Sequence, residues 1–197
     1  MNIRHINPIH QASRWILVAC VAIATACAGE VNSSQQTDEA RTGKVAVPQV
    51  DIHTAVVSNN EEALRQHIAA GTDINARDPF GGSSPLITAA VFGKTGMAQI
   101  LVDAGADLDF QNNDGSTALL SAAFFGRPEI VRLLLDAGAD KTIKNKYGAT
   151  AYESVITPFS EAKATYDMLG KALAPMGLEL DYTQLENVRP EIANMLK

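Results

Sequence analysis

Leu86-Ile87-Thr88-Ala89-Ala90 and, 33 residues later, Leu119-Leu120-Ser121-Ala122-Ala123 are two copies of one pattern, and Ile52-His53-Thr54-Ala55-Val56, 34 residues before the first, is a third. In each copy a glycine stands 19 residues after the leading apolar residue, at Gly71, Gly105 and Gly138. The copies close on Gly71-Thr72-Asp73-Ile74-Asn75, Gly105-Ala106-Asp107-Leu108-Asp109 and Gly138-Ala139-Asp140-Lys141-Thr142. A period of this length marks an array of supersecondary units, each too small to bury its apolar face alone, so that neighbours must stack.

Each copy reads as two short helices. The hydroxyls of Ser84 and Thr117 can cap the first helix, and Pro85 suits its first turn, where a missing N–H costs nothing. The pairs Ala89-Ala90 and Ala122-Ala123 permit close helix approach, and Gly93 and Gly126 end the first helix. Ala98, Leu101 and Val102, then Val131, Leu134 and Leu135, give the second helix one apolar stripe, which Gly105 and Gly138 terminate.

These lines resemble the ankyrin repeat, with Ser84-Pro85-Leu86 and Thr117-Ala118-Leu119 standing at that family's Thr-Pro-Leu. The resemblance covers about 51–157 and implies an all-α solenoid of helix-turn-helix pairs with finger loops: repeats at about 51–83, 84–115 and 116–148, then a degenerate cap at 149–197. The fourth copy starts at Gly148-Ala149-Thr150-Ala151-Tyr152 and then degenerates, as a terminal repeat with one wet face should. Residues 159–173 and 182–196 read as further helices sealing that end, split by Pro175-Met176-Gly177. Two departures stand out. The family's histidine is present only as His53, with Ile87 and Leu120 in its place elsewhere, and the loop from Asp78 to Ser84 carries one extra residue at Gly81-Gly82.

The remaining composition narrows the function. With 46% hydrophobic residues and 19% charged, a chain of 197 residues can bury one packed domain. Arg4 and Arg14 are the only charged side chains before Glu30, so the rest holds 14 of the 16 basic groups and all 22 acidic ones, net −8. That balance argues against binding nucleic acid. Cys20 and Cys27 are the only cysteines, which excludes a disulfide-stapled fold and a thiolate zinc site in the body.

Residues Trp15 to Ala26 are twelve uncharged residues behind Arg4 and Arg14, too short for a ~30 Å hydrocarbon core, and read as the apolar stretch of a signal peptide over 1–26. Ala24-Thr25-Ala26-Cys27 resembles the lipobox of bacterial lipoproteins, with Ala24 where Leu is usual. That resemblance implies lipidation at Cys27 and, with Ala28 rather than Asp next, anchoring at the outer membrane; cleavage after Ala26 or Ala28 to a soluble periplasmic protein is the alternative. Residues 27–48 are polar without apolar periodicity and form a tether for the domain at 49–197.

Motifs for chemistry fail on inspection. Gly93-Lys94-Thr95 resembles the end of a phosphate loop, but Thr88 stands where its earlier glycine belongs; Phe110 to Gly115 lacks the first acidic ligand of a calcium loop, and Ser121 replaces its closing glutamate. His53 and His67 fall on different helices, so we expect no metal, cofactor or catalytic residue. The resemblance implies recognition by fingers and first helices instead: Arg77, Phe80, Gln111, Asn113, Lys144, Lys146 and Tyr147 on the fingers, and Phe92, Phe124 and Phe125 on the inner helices. Phe80, Phe92, Phe124, Phe125 and Tyr147 are five of the chain's eleven aromatic side chains, and aromatics dominate binding hot spots. For Phe92 and Phe124, wedging between adjacent repeats is the competing reading. Lys141, Lys144 and Lys146 form a basic patch on an acidic body, suited to an acidic partner. The implied function is an exported module in the bacterial envelope that binds and modulates another protein by inhibiting, protecting or chaperoning it, not an enzyme. A permanent part of an envelope assembly, or an immunity protein against a delivered toxin, stays open beside it.

Overall fold

The computed structural model describes residues 46–197. The signal peptide expected at 1–26, the lipidation expected at Cys27 and the tether expected beyond it, up to residue 45, lie outside the described residues. Among the described residues nine α-helices form: α1 Ile52–Val57, α2 Glu61–Ala69, α3 Pro85–Phe92, α4 Thr95–Asp103, α5 Ala118–Phe124, α6 Pro128–Asp136, α7 Ala151–Ile156, α8 Phe159–Leu173 and α9 Tyr182–Leu196. Among the described residues no strand forms, so the all-helical reading holds.

The inner helices α1, α3, α5 and α7 start on a common device. Asp51, Ser84, Thr117 and Thr150 stand 33 residues apart, and each accepts the backbone N–H of the third residue on. Such caps contribute about 1 kcal/mol apiece. Thr150 and Glu153 complete a reciprocal capping box on α7. The turn into the outer helix needs positive φ, supplied by Gly93 and Gly126 at 65°. In the first repeat Asn59 does this at 57°, because its short polar side chain tolerates the left-handed region better than most.

Stacking follows from the side chains. Ala89, Ala90, Ala122 and Ala123 are wholly buried, so α3 packs between α1 and α5, and α5 in turn contacts α7. Outside them α2, α4 and α6 stack in order, presenting Leu64, Leu101 and Leu134 to the core. His53 ties repeat one to repeat two: its Nε2 donates to the Ala76 carbonyl at 3.0 Å and its Nδ1 lies 3.1 Å from the Thr88 hydroxyl. His67, buried at the outer position that Leu101 and Leu134 fill later, donates through Nε2 to the Val50 carbonyl at 2.8 Å.

The C-terminal helices depart from simple sealing. α9, not α8, packs beside α6 and α7 and fills the outer slot of the fourth repeat. α8 leaves the stack after Thr157-Pro158 and builds a small second core, in which Ala162 and Tyr166 meet Leu185 of α9 and the rings of Phe124, Phe159 and Tyr182. Arg189, 4% exposed, joins these parts. Its guanidinium donates to the Tyr166 hydroxyl at 2.9 Å, to the Ser154 carbonyl at 3.2 Å, and to the Thr157 carbonyl.

Candidate protein-binding surface

Each finger is a tight loop closed by the same bonds. Asp78 N donates to Ser83 O, Asn112 N to Ser116 O and Asn145 N to Ala149 O, at 2.9–3.1 Å. The side chain at the head of each loop then gathers the backbone N–H groups inside it. Asn112 Oδ1 accepts from Asp114 and Ser116, and Asn145 Oδ1 from Tyr147 and Ala149. In the first finger the extra residue lengthens the loop, and the Asp78 carboxylate spans it, accepting from Phe80 at 2.7 Å, Gly81 at 2.8 Å and Ser83 at 2.6 Å. The recurrence of Asp78, Asn112 and Asn145 at 34 and 33 residues is a signal that reading the fingers only for exposed side chains overlooks.

Burial of the Asp78 carboxyl pushes its pKa up, but the converging N–H groups more than offset this and hold it below the ordinary carboxylate value. Its folded-state pKa is therefore depressed, so its contribution to stability is present above the unfolded value near ~3.9 and is lost as pH falls through the lower folded value. Backbone amide exchange at Phe80 to Ser83 is expected to accelerate as pH drops through that window, after correction for intrinsic rates; Asp78→Asn, unable to ionise, is expected to abolish the change. Equal acid sensitivity in both proteins would overturn the assignment.

The fingers are zipped to one another. Asn113 N donates to Gly81 O and Lys146 N to Asp114 O, each at 2.9 Å. At the base Asn75 Oδ1 accepts from Asp107 N and Asp109 Oδ1 from Asp140 N, again at 2.9 Å. Gly115 must be glycine-like on two counts: its φ is 74°, and a Cβ there would lie 3.1 Å from Lys146 N.

Against this frame the sequence-derived residues sort themselves. Phe80 is 80% exposed at the first finger tip, and Tyr147, 39% exposed, holds the third, its hydroxyl 3.5 Å from Asp114 Oδ1. Asn113, Lys144 and Lys146 are exposed, with Lys144 bridging to Glu153 at 3.4 Å. Arg77 and Gln111 are exposed too but already engaged. Arg77 donates to Gly82 O and Gln111 O at 3.1 Å and lies over the Phe110 ring, while Gln111 donates to Gly115 O at 2.7 Å and Lys144 O at 3.3 Å.

The inner-helix aromatics do not form one exposed row. Phe92 is half-buried at the end of α3. Phe124 stacks on Tyr166 at 4.4 Å, and the Tyr166 hydroxyl donates to the Phe124 carbonyl at 2.6 Å. Phe125 is corrected outright: it is 6% exposed, its ring edge-on to Phe124 at 5.2 Å. The cause is the cap, because α8 and α9 cover the last turn of α5 and place Leu185 and Val188 against Gly126. Among the described residues no group of His, Cys, Asp or Glu gathers as a metal site, and no helix is long and apolar enough to cross a membrane.

Comparison with known proteins agrees with this architecture. The family "Ankyrin repeats (3 copies)" matches residues 52–145. Over 64 residues the chain is 39% identical to protein phosphatase 1 regulatory subunit 27 of Homo sapiens and of Mus musculus, which is 32% of this chain and 41% of each relative. Among solved structures, the ankyrin repeat domain of Bcl-3, a member of the IkappaB protein family, superposes with a TM-score of 0.51 at 36% identity, covering 52% of this chain and 45% of that one. The chain thus spans less than half the length of these relatives. The zipped fingers, the stacked inner helices and the matched segment together make residues 52–145 an array of ankyrin repeats.

Proposed function

We propose that this chain is an exported, non-catalytic binding module, held at the outer membrane of a bacterial envelope through lipid on Cys27, that docks on another protein along its finger tips and modulates it. The observation that carries the reading is Phe80. A ring 80% exposed to water sits on a loop that the Asp78 carboxylate pins at three backbone positions. An apolar side chain held out rigidly loses little entropy on docking, and its burial contributes about 1.5–3 kcal/mol. The ankyrin repeats support a protein as the ligand, and the regulatory subunit among the relatives supports modulation rather than chemistry.

The test is a photo-crosslinker placed at Asn113 in the full-length protein in intact cells, followed by affinity measurement with the protein captured. Phe80→Ala with Tyr147→Ala is expected to weaken that affinity by about thirtyfold or more, a loss of about 2 kcal/mol, with helical circular dichroism unchanged. Undiminished affinity would overturn the finger-tip surface. Lipid anchoring is checked separately by the membrane fraction of Cys27→Ala: release into the soluble fraction supports it.

A further inference from the structure

The finger zipper has an edge. Gly81 O receives Asn113 N and Asp114 O receives Lys146 N; Tyr147 holds the matching position in the third finger, and among the described residues its carbonyl receives nothing. Likewise Arg77 reaches to Gln111 O and Gln111 to Lys144 O, but Lys144, next in that series, reaches no further finger and turns to Glu153 on α7. The outer side of the third finger therefore presents the same groups that join one finger to the next.

Beside that edge lies an open cavity of about 460 Å³, lined by Lys141, Thr142, Lys144, Thr150, Tyr152 and the C-terminal residues Leu196 and Lys197. Lys141, Lys144 and Lys146 are all exposed, on a chain of net charge −6. The carboxylates nearby are partly committed: Glu153 accepts from Thr150 N and pairs with Lys144, while Asp140 accepts the hydroxyl and backbone N–H of Thr142. The positive charge of Lys141 and Lys146 is left facing solvent.

We propose that this edge docks an acidic peptide segment of a partner protein. One backbone N–H of that segment meets the Tyr147 carbonyl, continuing the zipper, and its carboxylates pair with Lys141, Lys144 and Lys146. The open Tyr147 carbonyl specifies a backbone N–H donor, and the charge specifies acid. This rests on the protein-binding reading above but uses the Tyr147 backbone carbonyl and three lysines rather than the Phe80 and Tyr147 rings, so the two can fail separately.

The probe is a short fluorescent peptide alternating Glu and Thr, titrated into the full chain at low salt and followed by anisotropy. Binding is expected, and Lys141→Glu with Lys146→Glu is expected to weaken it by about tenfold or more. That variant breaks no ion pair of the fold, and unchanged circular dichroism shows that it folds. Phe80→Ala should bind the probe normally, and a probe N-methylated on alternate amides should bind more weakly. Absence of binding, or equal binding by the lysine variant, overturns the proposal while leaving the finger-tip surface standing. Equal affinity for an oligonucleotide of the same charge, with no effect of N-methylation, would overturn it too, because the edge would then respond to charge alone.

Discussion

Arg189→Met is expected to lower the unfolding free energy by about 3 kcal/mol, although it removes no ion pair. Methionine keeps most of the apolar stem but deletes a guanidinium that is 4% exposed and that satisfies the Tyr166 hydroxyl and the carbonyls of Ser154 and Thr157. The two carbonyls belong to the C-terminal end of α7, where a helix leaves its last acceptors without internal partners. The Tyr166 hydroxyl passes the tie on to Phe124, so one side chain links α5, α7, α8 and α9. Burial pushes the Tyr166 phenol up to about 12 against the lowering pull of Arg189, so it stays a donor beyond the pH at which an exposed tyrosine ionises. Denaturant unfolding measures the loss, and amide exchange should show α8 opening before α3 to α5. Lys at this position should rescue little, since an ammonium lacks the planar fork. A midpoint unchanged in Arg189→Met would show that these bonds contribute nothing net.

Leu101→Ala should be comparably severe, at about 3 kcal/mol, for a different reason. Leu101 is wholly buried on α4, an outer helix with a stacked neighbour on both sides, so truncation leaves a cavity that packing from α2 and α6 cannot readily close. In a one-dimensional stack each repeat depends on its neighbours. Leu64→Ala, equally buried but in the first repeat with one stacked neighbour, is therefore expected to cost less. Chemical denaturation of the two variants decides it: an equal loss at both positions would mean that stacking on the second side adds little at Leu101.

Where the sequence repeats, its reading carries directly into structure. The caps at Ser84 and Thr117, the terminating Gly93 and Gly126, and the stripe through Leu101 and Leu134 are local patterns that recur, and each stands where the period puts it. Residues 159–173 and 182–196 are also legible as helices, because amphipathic spacing is local. Their placement is not. Nothing in the spacing distinguishes a helix that continues the stack from one that leaves it; the choice depends on Arg189 meeting Tyr166, a contact across 23 residues. The fate of Phe125 follows from the same ignorance, since its ring reads as exposed only if α8 and α9 lie elsewhere. Phe80, by contrast, is readable at the finger tip because the loop around it is closed by its own neighbours.

The position of α9 also limits how such an array can lengthen. A duplicated copy inserted upstream of Thr150 would find a matching helix face and a matching finger on either side, so the family could grow from within, one tandem unit at a time. The fourth copy differs from the others, because α8 stands between its two stacked halves. A copy added there would have to carry α8 as well, so lengthening among the first three copies disturbs the packing least.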